Sequence, residues 1–308
     1  MPGKIIKDPY GRCVTSLRVS ITQRCNLQCY YCHREGELDE RKVEMTAAEI
    51  ERIVRVVAAF NIREVKLTGG EPLLRNDIVE IVQKIRSIPE VSEISMTTNG
   101  TLLSKVARHL KEAGLSRVNV SLDTLNPETY RSITGVDALE NVLAGIQEAW
   151  GADLSPVKVN MVLLRGVNDD EVWNMIDFTR KRSLILQLIE LESASEDTFY
   201  RRYHYDLAEI ENRLREKSKK IVIRRMHHRR RYFLADGAEV EVVKPMHNTE
   251  FCRYCSRMRV TSHGEFKPCL LRSNDHLDFL SPLRNQASDA HLADLFAKAV
   301  KARKPYFS

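Results

Sequence analysis

The chain has 308 residues, 43% of them hydrophobic and 29% charged, with a formal net charge of +6. That composition excludes global disorder and leaves enough apolar residue for a large buried core. No run approaches the ~18 uninterrupted apolar residues of a membrane span, and the first ten residues carry no apolar run of signal-peptide length, so the expectation is a cytoplasmic protein with no membrane partner.

In chain order, β-rich runs fall at 17–22, 65–68, 94–97, 118–121, 157–163 and 185–191. Between them, 46–60, 77–87, 104–113, 137–150 and 170–182 carry apolar residues at helical spacing. Thr46 and Glu49 form a capping box, and Gly114 reads as a helix stop. Such alternation requires parallel pairing with right-handed crossovers. The span is shorter than the ~250 residues typical of a closed eight-fold barrel, so the expectation over 1–194 is an α/β open, partial βα barrel. Site groups then belong at the C-terminal strand ends, where Gly69-Gly70, 97–100, 121–123 and 190–192 lie.

Beyond residue 195 the rhythm breaks. A charged helix at 206–218, β-rich pieces at 221–223 and 239–243 and a last helix near 290–301 predict a C-terminal α+β appendage over 195–308. The basic run from Lys217 to Arg231 is read as a solvated face rather than a phosphate site. It lacks interleaved aromatics, so no nucleic-acid partner is expected.

The seven cysteines form two trios, with Cys13 left over as an ordinary thiol. Clustered cysteines in a cytosolic chain point to metal or redox chemistry. Cys25-x-x-x-Cys29-x-x-Cys32 follows the first strand directly. A loop of this length can turn three thiolates toward a cubane and leave the fourth iron open. The alternative is a zinc site with His33 as fourth ligand. Cys252-x-x-Cys255 and Cys269 form the second trio, for which a zinc ribbon would need His247 or His263. Arg257 and Arg259 follow Cys255 and share one side if the run is extended, where planar guanidinium groups suit phosphate oxygens. Lys66 and Lys158 sit in predicted strands, where charge usually has a reason. In Gly69-Gly70-Glu71-Pro72 the glycine pair admits close backbone approach, and the carboxylate is suited to accept hydrogen bonds from an ammonium group.

With Tyr31 before its last cysteine, the first trio resembles the cluster motif of the radical S-adenosylmethionine superfamily, and Gly69–Pro72 matches that superfamily's methionine-binding motif. The resemblance implies a [4Fe-4S] cluster on Cys25, Cys29 and Cys32. Its open iron would take the methionine amino and carboxylate groups of S-adenosylmethionine, whose reductive cleavage gives a 5′-deoxyadenosyl radical. From Leu17 to Leu270, and above all in 251–259 with Gly264 and Cys269, the chain resembles the GTP 3′,8-cyclase family of molybdenum cofactor biosynthesis. That resemblance implies a second [4Fe-4S] cluster on Cys252, Cys255 and Cys269, facing guanine. It places Tyr31, Gly70 and Ser121 at S-adenosylmethionine, and Arg18, Lys66, Thr97, Lys158, Arg257, Met258 and Arg259 at GTP. It names no catalytic residue beyond the cluster ligands.

The implied lyase reaction removes hydrogen from the ribose 3′ carbon, which then attacks guanine C8 to give 3′,8-cyclo-7,8-dihydro-GTP. The implied partners are an electron donor of ferredoxin or flavodoxin type and a downstream cyclic pyranopterin monophosphate synthase, and a homodimer is compatible with the family. Two departures stand out. Bacterial members end in a Gly-Gly tail that reaches the active site, where this chain has Lys304 to Ser308, and Glu192 falls where the family has a methionine touching S-adenosylmethionine. The rival readings are another radical enzyme with an auxiliary cluster and a zinc-ribbon nucleic-acid-binding module.

Overall fold

The computed structural model describes residues 5–37, 43–273 and 275–308; the first four residues of the N-terminal stretch considered above lie outside it. Strands β1 (Ser16–Ser20), β2 (Glu64–Thr68), β3 (Glu93–Thr98), β4 (Arg117–Ser121), β5 (Lys158–Leu163) and β6 (Ile185–Glu190) stand side by side in chain order. Each pairs parallel with the next. Their alternation explains both faces. Leu17, Val19, Val65, Leu67, Val118, Val120, Val159 and Met161 are buried in the hydrophobic core under the helices. The residues between them, including Arg18, Lys66, Thr97, Asn119 and Lys158, turn the other way, to the inside of the curved sheet.

Helices α1 (Ala47–Ala58), α2 (Ile78–Arg86), α3 (Ala107–Glu112), α4 (Pro127–Thr134), α5 (Leu139–Gly151) and α6 (Val172–Arg180) alternate with these strands. The α1 capping box is present as expected, and the helix buries Ile50, Ile53, Val54 and Val57. Removing one such side chain, as in Ile53→Ala, would cost roughly 2–5 kcal/mol. The sequence reading lacked α4. Its signals were local: Asn126 accepts from the Glu128 and Thr129 amides, Pro127 opens the helix, and Gly135 closes it at φ 74°.

After residue 195 come α7 (Thr198–Tyr203), α8 (Ala208–Lys217), β7 (Ser218–Ile223), β8 (Arg230–Leu234), β9 (Glu239–Val243) and α9 (Thr249–Arg253). They are followed by β10 (Arg257–Val260), β11 (Glu265–Lys267), β12 (Leu277–Asp278), α10 (Leu280–Arg284) and α11 (Asp289–Lys301). The appendage extends the barrel sheet at both edges. β9 adds parallel to β6 and carries β8 and β7 antiparallel; β10 adds parallel to β1 and carries β11 and β12 antiparallel. The result is a single 12-stranded sheet in the order β12-β11-β10-β1-β2-β3-β4-β5-β6-β9-β8-β7. β9 and β10 are not paired, so the barrel stays open, and the segment joining them, with α9, runs between its two edges. Among the described residues no helix is long and apolar enough to cross a membrane.

Candidate functional site

All six clustered cysteines, and every residue expected at S-adenosylmethionine or GTP except Met258, line one cavity of about 740 Å³ inside the open barrel. That volume lies in the ~300–1,000 Å³ range of small-molecule sites. Met258 is the correction. Strand alternation puts its side chain on the opposite face of β10 from Arg257 and Arg259, where it is 0% exposed in the core.

The first trio lies on the loop after β1. Peptide amides already aim at two of its thiols, Leu27 at Cys25 Sγ (3.5 Å) and Arg34 at Cys32 Sγ (3.4 Å), a donor pattern that favours thiolate. Burial pushes all three thiols up, Cys29 to about 12, so in the bare chain they hold their protons and any metal must displace them. Among the described residues no three Cys, His, Asp or Glu side chains converge tightly enough to chelate one ion. All three thiols line the same cavity. Of the proposed zinc ligands, His33 accepts the Glu35 amide at Nδ1, His247 lies 2.8 Å from Glu196, and the buried His263 lies 3.1 Å from Glu265 with neither ring nitrogen in a hydrogen bond among the described residues.

Gly69 and Gly70 face the cysteine loop. A Cβ on Gly69 would lie 2.3 Å from the Thr22 carbonyl oxygen, and one on Gly70 would lie 2.2 Å from that of Arg24. The pair lets two loops touch, as the hydrogen bonds from Gly70 to Thr22 and from Glu71 to Arg24 (both 2.7 Å) show. Glu71 departs from the sequence reading. Its carboxylate is fully buried and accepts from the Leu73 amide, the Thr98 hydroxyl and the Asn99 amide, so it fastens the β2 loop to the β3 loop, and unlike Gly69 and Gly70 it does not line the cavity. Tyr31 is held by Asp123, whose other oxygen accepts the Val162 amide.

Arg259, Arg18 and Lys66 are register partners across β10, β1 and β2, so they form a row of cations on the cavity face. Lys66 donates to Asn119 (3.1 Å), and Arg257 reaches only Met226 Sδ (3.4 Å). Neither has a carboxylate partner among the described residues, and burial among like charges holds both well below their ordinary pKa values. Lys158 is paired with the buried Glu241 (2.5 Å), which also holds Arg229 (3.0 Å) and Arg224 (3.4 Å). Burial lowers Lys158 to about 8 despite that partner, while Arg229, Lys158 and Arg224 hold Glu241 at about 2 against its burial.

Arg224, Arg225, His227 and Arg229 line the cavity, so the basic run is in part a wall of the site and not only a solvated face. Its outer members Lys219 and Lys220 are exposed, which is where that reading holds.

At the second trio, Cys252 is buried in α9 while Cys255 and Cys269 flank β10 and β11. Both chain ends close over it. Arg12 donates to the Cys252 carbonyl (3.0 Å) and pairs with Asp8 (2.6 Å). Arg303, 1% exposed, pairs with Asp8 (3.1 Å) and donates to the Cys255 carbonyl (2.8 Å) and Sγ (3.7 Å); the Phe307 amide meets Cys252 Sγ (3.5 Å). Burial would raise the Cys255 thiol, yet Arg303 and Arg257 bring it below its usual value. Lys304, Tyr306 and Phe307 line the cavity, as does Glu192, which faces Arg18.

Residues 19–179 match the model of the radical SAM superfamily, and 184–308 match Molybdenum Cofactor Synthesis C. A Thermococcus kodakarensis chain named "Probable GTP 3′,8-cyclase" is 52% identical over 309 residues, covering 98% of this chain and 100% of that one. A Methanothermobacter thermautotrophicus chain of the same name is 49% identical, covering 98% and 99%. Among solved structures, Streptococcus suis SuiB bound to its precursor peptide SuiA aligns with TM-score 0.66 at 17% identity over 87% of this chain; this chain spans 61% of SuiB. The anSMEcpe structure with bound AdoMet gives 0.60 at 18% identity, covering 84% of this chain and 75% of that one. Both share the fold.

Proposed function

Because the chain belongs to the radical SAM superfamily and, along its whole length, to the GTP 3′,8-cyclases, we propose that it converts GTP to 3′,8-cyclo-7,8-dihydro-GTP in the cytoplasm. One observation carries the reading at residue level: both cysteine trios, the row of Arg259, Arg18 and Lys66, and Arg257 line one cavity, and Lys66 and Arg257 have no carboxylate partner among the described residues. In this proposal Cys25, Cys29 and Cys32 hold the cluster that works with S-adenosylmethionine, and Cys252, Cys255 and Cys269 hold a second [4Fe-4S] cluster. Together with S-adenosylmethionine the first cluster supplies one-electron cleavage chemistry that starts hydrogen abstraction from the substrate.

The remaining tasks belong to the chain's own side chains. Among the described residues the buried cations Arg257 and Lys66 have no carboxylate partner, and an anion between them relieves a repulsion already built into the fold. Arg18 and Arg259 add planar donors on the same face. Lys158 differs, because it is hydrogen-bonded to Glu241, a carboxylate it shares with Arg224 and Arg229, so its ammonium group is held in a fixed position within a cluster that keeps a net positive charge. Thr97 and Ser121 add hydroxyls at the C-terminal ends of β3 and β4, and the Gly70 backbone and Tyr31 complete the S-adenosylmethionine side. The division near residue 195 is functional in this scheme: the first part presents the radical chemistry, and the second closes over it with the substrate groups. An electron donor of ferredoxin or flavodoxin type and a synthase consuming the product complete the sequence.

The test is anaerobic reconstitution with iron and sulfide, followed by incubation with S-adenosylmethionine, GTP and a low-potential reductant such as dithionite. The expected products are 5′-deoxyadenosine and the cyclised nucleotide in equal amounts. Cleavage of S-adenosylmethionine with GTP recovered unchanged would refute the assignment.

A further inference from the structure

Glu35 has no part in the reading above, yet its carboxylate sits on the arginines given to the triphosphate. Oε1 accepts from Arg18 Nη1 (3.2 Å) and from the Thr68 hydroxyl (2.9 Å), and Oε2 accepts from Arg259 Nη1 (2.5 Å). Three strands, β1, β2 and β10, thus converge their donors on one oxoacid group. Two guanidinium groups and a hydroxyl also form a donor set suited to a phosphate. Burial alone would raise this carboxyl, but Arg18 and Arg259 hold it well below the ordinary range, so it is an anion throughout physiological pH.

The backbone that delivers Glu35 is unusual. Arg34 (φ 48°) and Glu35 (φ 54°) are consecutive non-glycine residues in the left-handed region, followed by Gly36 at φ 72°. Residues rarely hold that conformation unless their surroundings impose it. Here the ion pairs and the His33 contact to the Glu35 amide (3.1 Å) impose it. Glu35 also lies three residues beyond Cys32, and the amide of the intervening Arg34 is the donor to Cys32 Sγ.

We propose that Glu35 is an internal stand-in for a phosphate group: it occupies Arg18 and Arg259 in the nucleotide-free chain, and GTP must displace it to bind. The proposal rests on the reading of those arginines as triphosphate ligands. Displacement would release the strained turn beside Cys32, so the loop of the first trio would register whether substrate is present.

The test uses reconstituted enzyme under anaerobic conditions, with GTP and guanosine affinities measured for wild type, Glu35→Gln and Glu35→Asp. Glu35→Gln keeps the shape but gives up the charge, so GTP should bind about ten-fold more tightly or better, with guanosine unchanged. Glu35→Asp is one methylene too short to span the donor set and should fall between. Amide exchange across 33–37 gives a second reading. GTP should speed it in wild type, and Glu35→Gln should show fast exchange without nucleotide. Weaker or equal GTP binding by Glu35→Gln, or slower or unchanged exchange on adding GTP to wild type, would overturn the proposal and make Glu35 a fixed prop for the arginines. If wild type bound GTP no better than guanosine, the phosphate reading itself would fall, and the stand-in with it.

Discussion

Replacing Arg257 with methionine should separate function from stability in opposite directions. The guanidinium is buried beside Arg18 and Arg259, meets the Met226 thioether, lies within electrostatic reach of Cys255, and has no carboxylate partner among the described residues. A hydrogen bond to a charged group contributes roughly 1.5–3 kcal/mol net, so GTP affinity should fall about ten- to hundred-fold. The nucleotide-free protein should lose nothing in stability, since exchanging a buried unpaired charge for a packed apolar side chain is commonly neutral or stabilising. Its melting temperature should hold or rise. Arg259→Met is the contrast. That arginine gives up Glu35 to take phosphate, so its net contribution to GTP binding should be smaller, under about ten-fold, and its loss should lower the melting temperature because Glu35 keeps only one arginine. Anaerobic equilibrium dialysis with GTP and guanosine, together with calorimetry on both variants, gives the four numbers. Equal losses for GTP and guanosine in Arg257→Met would refute the phosphate assignment. A melting temperature lower for Arg257→Met than for Arg259→Met would refute the charge balance drawn from the structure.

Reconstituted protein should hold about eight iron and eight labile sulfide per chain on the stoichiometry of two four-iron clusters; stoichiometric zinc without sulfide would remove both clusters, and Cys13→Ser should leave the metal content unchanged. Cys252→Ala should stop GTP turnover while some S-adenosylmethionine cleavage survives, and Cys29→Ala should stop both; complete loss of cleavage in folded Cys252→Ala would end that division of labour. Arg303→Met, by removing the cation and donor at Cys255, should lower retention of the second cluster during gel filtration without affecting the first, measured by electron paramagnetic resonance of each. Glu241 sits near 2 when folded against about 4.5 when unfolded, so its stabilisation is complete above the unfolded value and is lost as pH falls toward 2. Glu241→Gln should flatten the acid limb of stability by on the order of 3 kcal/mol, read from urea titrations between pH 5 and 2; an unchanged slope would mean Glu241 is not ionised as described.

The sequence was readable where chemistry is local. The six alternating strands and the Thr46 capping box depend on neighbours within a few residues, and they stand in the structure as expected. The partial barrel with its later addition was legible for the same reason. What failed to read was set by partners far along the chain. Glu71 looked like a ligand carboxylate, but it is buried outside the cavity and accepts from Leu73, Thr98 and Asn99, the last two on another loop. Arg224 and Arg229 looked like members of a solvated run because nothing nearby announces Glu241. Glu35 was passed over because its arginine partners sit on β1 and β10. Met258 was carried along by its flanking arginines, although the two-residue period that puts them in the cavity turns it away.

The pairing of β1 with β10 joins the first strand to one that follows about 240 residues later. On a ribosome making about 5–20 residues per second, β1 waits roughly 10–50 s for that neighbour. Throughout that interval the nascent chain shows an open strand edge next to three bare thiols, and an unpaired edge is a template for pairing with other chains. The second trio appears only as the edge is about to be covered. Synthesis therefore imposes an order: the first cysteine loop exists before its barrel can shelter it, and a cell that makes this protein must either shield the loop or delay metal delivery until the last strands have been translated.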